Sequence, residues 1–205
     1  MSSQTPSGRR VELERATAET RVSLSLCLDG QGATRVKTGI GFFDHMLTSL
    51  GHHALFDLDL TVAGDLHVDA HHTVEDAALA LGAAVDRALG ERRGVARFGH
   101  AIVPMDEALV LAAVDLSGRP LLVWDVPALD ASGTRLGEMD AELVREFFQA
   151  LAGAGRLTLH VRQLSGRNRH HVAEAAFKAF ARAIRRAVAI DPDRPDRIPS
   201  TKELL

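Results

Sequence analysis

Residues 66–89 read LHVDAHHTVEDAALALGAAVDRAL, and residues 159–188 read LHVRQLSGRNRHHVAEAAFKAFARAIRRAV. Sliding the chain by 99 residues lays His71 on His170, His72 on His171 and Glu75 on Glu174. The apolar positions follow, with Leu81 on Phe180, Val85 on Ile184 and Ala88 on Ala187. Matching the two Leu-His-Val stretches as well gives the second copy six more residues between strand and helix. Self-similarity at a fixed offset marks an internal duplication. Alanine-rich helices resemble one another by chance, but a shared His-His-x-x-Glu at the same helix position does not arise so readily. Each half therefore reads as strands, a short helix, more strands and a long helix.

Working outward, residues 1–9 read as a disordered leader, residues 10–94 as the first half, 95–190 as the second and 191–205 as a tail, all in one compact unit. Arg10–Leu28 alternates as a strand, with Val22, Leu24, Leu26 and Leu28 on one face. Asp29-Gly30-Gln31-Gly32 reads as a hairpin turn into a return strand over Ala33–Lys37. Helices are expected at Phe42–His52, His71–Leu89, Ala141–Ala154 and His171–Val188, and strands at Leu55–Val62 and Arg156–Leu164. Leu109–Asp115 and Arg119–Val126 look like strands paired about Ser117-Gly118, and the proline-bearing tail looks extended.

The 205 residues carry 24 basic and 27 acidic side chains, a net charge of −3 that argues against nucleic-acid binding driven by bulk positive charge. The lone Cys27 leaves no intrachain disulfide framework and fits a reducing, cytoplasmic setting. No apolar run approaches the ~20 residues needed to cross a bilayer, so no membrane role is expected.

Of ten histidines, six sit in three adjacent pairs. On a helix, residues four apart share a face, so His71 with Glu75, and His170 with Glu174, can each ligate one ion. His72 and His171 are rotated about 100° away and point elsewhere. If the halves face each other through a pseudo-twofold, one ion takes His71, Glu75 and His171, and the other takes His170, Glu174 and His72. Imidazole with carboxylate suits manganese, iron or zinc. The pair His52-His53 reads alone as a surface feature, and His67 and His160 as structural. His45 sits at a helix start beside Asp44, an acid placed to orient it. Arg97, Arg119, Lys178 and the segment Ser200-Thr201-Lys202 supply donors of the kind that bind phosphate.

The motifs GIGFFDHML, HHTVEDAALALG, RFG with PMDEAL, DLSGRP, TLHVRQLSGRNRHHVAEAAFKAFARA and PSTK together resemble the imidazoleglycerol-phosphate dehydratase family, from Arg15 to Lys202. The resemblance implies an α+β fold of two ribosomal-protein-S5-like halves, with two four-stranded sheets and helices packed between them. It implies two manganese ions per subunit, and trimers built into a 24-subunit shell with active sites shared between subunits. His71, His72, Glu75, His170, His171 and Glu174 match the family's metal ligands, as does His45. Glu146 stands where many members have a histidine ligand, and Glu203 where they usually have glycine after PSTK. His53, Arg97, Arg119, Lys178, Ser200 and Lys202 match contacts to substrate, chiefly its phosphate, and Thr201 lies in the same segment. Glu19 matches an acidic residue near the substrate and is the favoured base, with Glu174 or Glu75 as the other catalytic carboxylates.

The activity so implied is loss of water from imidazole glycerol phosphate to give imidazole acetol phosphate. Two rivals follow from the same residues: a dinuclear phosphate-ester hydrolase, and an oligomer cemented by metal. An RNA-binding module is disfavoured by the acidic balance and the lack of aromatic–basic interleaving.

Overall fold

The structure, a computed structural model, describes residues 8–130 and 133–202. The first half runs β1 (Arg10–Ala16), β2 (Thr20–Cys27), β3 (Thr34–Lys37), α1 (Gly41–Ala54), β4 (Asp57–Gly64) and α2 (His71–Leu89). The second runs β5 (Phe98–Met105), β6 (Ala108–Asp115), β7 (Leu121–Asp125), a small hairpin β8 (Arg135–Leu136) and β9 (Met139–Asp140), α3 (Leu143–Ala154), β10 (Thr158–Ser165) and α4 (Arg169–Val188). The two four-stranded sheets have the same order, β1-β2-β4-β3 and β5-β6-β10-β7. In each, the last-named edge strand lies parallel to its neighbour and the other pairs are antiparallel. The fold is α+β and duplicated.

Four expectations are corrected. The stretch expected as one long strand over residues 10–28 is a hairpin, broken at Thr17-Ala18-Glu19. β3 does not fold back on β2; it pairs parallel with β4, Val36 opposite Leu60. β7 likewise pairs parallel with β10 rather than with β6. The second copy holds no extra residues between strand and helix. At the constant offset of 99, Leu58, Leu60 and Val62 of β4 fall on the equally buried Leu157, Leu159 and Val161 at and beside β10. Leu66-His67-Val68 lies in a turn, not a strand. Upstream the offset is 88, putting Val22, Leu24 and Leu26 on Val110, Ala112 and Val114. The hairpin β8–β9 lies where the two offsets meet.

Alternation explains the sheets. β6 buries every second residue from Ala108 to Val114, and β4 buries Leu58, Leu60 and Val62. The helices exchange partners between halves: α2 packs on α3, and α1 packs on α4. Small residues let them approach, as a side chain on Gly82 would meet the Leu151 carbonyl oxygen at 2.6 Å. Phe43 of α1, Phe147 of α3 and Phe177 of α4 form an aromatic centre with ring centroids 5.0–5.6 Å apart. This crossing fixes the ends of α1 and α4, where the histidines sit.

The expected leader falls largely on residues outside the described ones. Arg9 is described, and its guanidinium donates to Asp29 at 2.6 Å and to the Val188 carbonyl oxygen at 2.7 Å. A fifth expectation is corrected at the tail, which from Asp191 is not extended but a series of turns, with Gly94 N–H donating to the Arg197 carbonyl oxygen at 2.8 Å.

Candidate metal and substrate site

The N-terminus of α4 is fixed by Asn168, whose side-chain oxygen accepts the backbone N–H of His170 at 3.0 Å and of His171 at 3.4 Å. That places His170 and Glu174 one turn apart, with Nε2 and Oε2 at 3.2 Å. Because α1 crosses α4, His45 joins them, its Nε2 at 3.4 Å from the same Oε2. Donor atoms of His45, His170 and Glu174 all lie within 4.8 Å of one another, and this is the only such group of three among the described residues. Asp44 does not orient His45. Its Oδ1 accepts from Thr38 N–H at 2.8 Å and from the Thr38 hydroxyl at 2.6 Å, fixing the loop before α1.

Glu174 is buried while His45 and His170 are half exposed. Burial alone would push the Glu174 carboxyl up. The Lys178 ammonium, 2.7 Å from Oε1, and the His45 ring together offset it and hold the carboxyl below its ordinary value. His53, at the end of α1, is pushed down by burial and then by the charge of Lys178. His53, Lys178, Glu174 and His45 are thus one neighbourhood.

The first half presents a different arrangement. His71 and Glu75 lie 4.0 Å apart on α2. His72 sits between two carboxylates: Asp65 Oδ2 is 3.0 Å from Nδ1, and Glu19 Oε1 is 3.7 Å from Nε2. The hydrogen bond to Asp65 raises the pKa of His72. Glu19 is carried by the β1–β2 turn, which Asp76 of α2 ties down through Arg15, Thr17 and Thr20. In the second half, His171 has Glu107 Oε2 at 2.8 Å from Nδ1 and Asp106 Oδ2 at 3.6 Å from Nε2. That hydrogen bond raises His171 and, with the N–H groups of Asn168 and Arg167, takes Glu107 down to about 2.

A third cluster lies at the C-terminal tail. Arg97 donates to Asp115 at 2.7 Å and to the Pro199 carbonyl oxygen at 2.8 Å. Arg119 approaches the same Asp115 at 3.9 Å. Arg97, Ser200 and Thr201 line an open cleft of about 930 Å³ with Arg93, Arg194 and Arg197. Lys202 follows as an exposed residue, its N–H donating to the Ser200 hydroxyl at 3.2 Å. Glu203 lies outside the described residues.

One chain therefore brings together His45, His170, Glu174, Lys178 and His53, and separately Arg97, Arg119, Ser200 and Thr201. It does not gather His71, Glu75 and His171, nor His170, Glu174 and His72, into single groups. Glu146, half-buried on α3, joins no group of three. Sequence reasoning passed over Asp65, Asp106 and Glu107. Extending the repeat upstream reveals one of them, because Glu107 immediately precedes β6 as Glu19 precedes β2.

A duplicated α+β chain with a histidine–carboxylate cluster and an arginine-lined cleft has the makings of a metalloenzyme acting on a phosphorylated ligand. Comparison makes it particular. The profile of the family described as Imidazoleglycerol-phosphate dehydratase matches residues 38–184. Relatives bearing that name include one from Gluconacetobacter diazotrophicus, 55% identical over 96% of this chain and 98% of its own length. Another from Acidiphilium cryptum is 57% identical over 96% of this chain and 99% of its own. The crystal structure of the Staphylococcus aureus dehydratase superposes with a TM-score of 0.78 at 34% identity, covering 88% of this chain and 99% of that one. That of the Pyrococcus furiosus protein in complex with (S)-C348 gives 0.75 at 35%, covering 94% and 100%. The chain belongs to the imidazoleglycerol-phosphate dehydratase family. It is an enzyme, and its class is the dehydratases.

Proposed function

We propose that the enzyme dehydrates D-erythro-imidazole glycerol phosphate to imidazole acetol phosphate in L-histidine biosynthesis, with two manganese ions per chain. The observation that carries this reading is the His45–His170–Glu174 cluster, two imidazoles and one carboxylate with all donor atoms within 4.8 Å. That thiolate-free donor set fits manganese, iron or zinc. His45, His170 and Glu174 would hold one ion with His72 from a neighbouring copy. His71, Glu75 and Glu146 would hold the other with a neighbour's His171. The bound ions supply Lewis acidity to the substrate's imidazole ring, favouring its electron-rich form.

The chain's own groups do the rest. The hydroxyl on the carbon beside the ring leaves as water with a proton taken from solvent, and the proton on the next carbon is lost in exchange, so the dehydration is proton-neutral. Glu19, half exposed at the Nε2 edge of His72, takes that proton, and the resulting enol tautomerises to the ketone. Glu75 and Glu174 serve as ligands beside it. Arg97, Arg119, Ser200, Thr201 and Lys202 bind the phosphate, with Lys178 and His53 reaching the same substrate from the metal side.

Because one chain holds the parts separately, the working unit in this reading is a homo-oligomer, trimers assembled into a 24-mer as the resemblance implies. The outer faces of the sheets support burial against a second copy. The second sheet turns Phe98, Ile102, Leu121, Val123 and Leu164 outward, 36–61% exposed, while the first turns out Glu12, Glu14, Arg21, Arg35 and Asp59. No helix of the described residues is long and apolar enough to cross a membrane. The buried free Cys27 fits a cytoplasmic enzyme.

Glu19→Gln tests the assignment. Turnover falls by ~10²–10⁴-fold, with metal content per chain unchanged; near-normal turnover overturns Glu19 as the base. Release of inorganic phosphate in step with product would favour the hydrolase instead.

A further inference from the structure

The second histidine of each pair is held in the same way by a carboxylate from a different place in the fold. His72 Nδ1 is 3.0 Å from Asp65, in the turn after β4. His171 Nδ1 is 2.8 Å from Glu107, in the turn between β5 and β6. In both rings the tight contact is at Nδ1, and the nearest carboxylate to Nε2 stands back at 3.6–3.7 Å. Neither carboxylate is the other's counterpart in the duplication. The residue corresponding to Glu107 is Glu19, which faces the opposite edge of its histidine. Inheritance from one ancestral half therefore does not account for the shared contact.

We propose that Asp65 and Glu107 are positioning residues that set the tautomer of His72 and His171, presenting each Nε2 lone pair to an ion completed by a second copy of the chain. A carboxylate accepts only, so a hydrogen bond from it fixes the proton on Nδ1 and leaves Nε2 as the donor to metal. The inference rests on the dinuclear reading above and adds to it how the two histidines are aimed. It also separates the fates of one duplicated acid: Glu19 keeps a free carboxylate at the Nε2 edge, while Glu107 is engaged three times. Its Oε1 accepts the N–H groups of Arg167 at 3.1 Å and Asn168 at 2.8 Å, and its Oε2 takes His171.

That triple engagement provides the test. In Glu107→Gln the two backbone N–H groups hold the amide oxygen, so the amide NH₂ must face His171 Nδ1. The ring then accepts at Nδ1, carries its proton on Nε2 and cannot ligate. The experiment is manganese titration of the full-length protein, wild type and variants, with metal content per chain and the thermal midpoint of the metal-free protein. Glu107→Gln should weaken one of the two manganese sites by ~10–100-fold, while the metal-free protein, without that carboxylate, still unfolds in one cooperative transition at a lower midpoint. Asp65→Ala should weaken a site to the same degree. Wild-type affinity at both sites in Glu107→Gln overturns the inference while leaving the dinuclear reading intact. A wild-type protein that binds no manganese overturns both.

Discussion

Gly99 lies where α4 presses on β5. A side-chain carbon built there would sit 1.9 Å from the Ala183 carbonyl oxygen, 2.8 Å from Ala187 N and 3.0 Å from the Ala183 carbonyl carbon. All three are main-chain atoms of one helix, so no rotamer change relieves the contact. To reach ordinary separation α4 must move off the sheet by roughly 1.5 Å, in a core packed at crystal-like density. Overpacking typically costs 1–3 kcal/mol, and rigid backbone on the far side puts Gly99→Ala at about 3 kcal/mol. For a chain of this size that lowers the melting temperature by about 6–12 °C. The same substitution at Gly153, near the end of α3, meets nothing within 4 Å. Gly153→Ala should stabilise by up to about 0.5 kcal/mol, since alanine loses less backbone entropy in a helix. Thermal unfolding of both variants, metal-free and at one protein concentration, checks the pair. A loss under about 2 °C for Gly99→Ala, or any clear loss for Gly153→Ala, would refute the packing argument.

Phe147 is fully buried, with ring centroids 5.6 Å from Phe43, 5.2 Å from Phe148 and 5.0 Å from Phe177. Phe147→Ala should cost about 3–5 kcal/mol in urea unfolding; under about 1 kcal/mol would show that α1, α3 and α4 do not share one core. Asp57 accepts backbone N–H groups from Gln31 at 2.9 Å and Ala33 at 3.1 Å, and these hold its carboxyl below the ordinary 3.8. A depressed folded-state value stabilises the fold above the unfolded pKa and is lost as pH falls through the folded one. Asp57→Asn should therefore be about 1 kcal/mol less stable at neutral pH, with the gap closing in acid below pH 3.8. A gap unchanged down to pH 2 would contradict this.

How far the sequence reaches depends on where each element's partner lies. α2 was legible to the residue, because His71 follows Asp69, whose Oδ1 accepts the His71 N–H at 2.7 Å, and because Gly90 ends it. The break between β1 and β2 was not. Thr17-Ala18-Glu19 holds no glycine, proline or asparagine, and its turn rests on Asp76, some 56 residues away. β3 and β7 were legible as strands but not in their pairing. A parallel partner lies beyond a helix, and local turn chemistry says nothing of it. β5 was missed because Phe98 and Ile102 face outward, which blurs the alternation, and because it contains Gly99 and Pro104. As an edge strand it tolerates that proline.

The site divides along the same line. Helical spacing fixed which side chains share a face, so His170 with Glu174 and His71 with Glu75 were readable from the chain alone. What stands opposite a face is set by helix crossing. α1 crosses α4, so the third member of the His170–Glu174 group is His45, reached through Phe43, Phe147 and Phe177 packing beneath. The second histidine of each pair points away from its own glutamate for the same geometric reason, 100° further round the helix. It meets the turns that follow β4 or join β5 to β6, and there finds Asp65 or Glu107. A duplicated helix thus yields two unlike jobs from one dipeptide. The first histidine shares a face with its own glutamate, where His170 joins a cluster and His71 does not, and the second is held at Nδ1 by an acid from another loop.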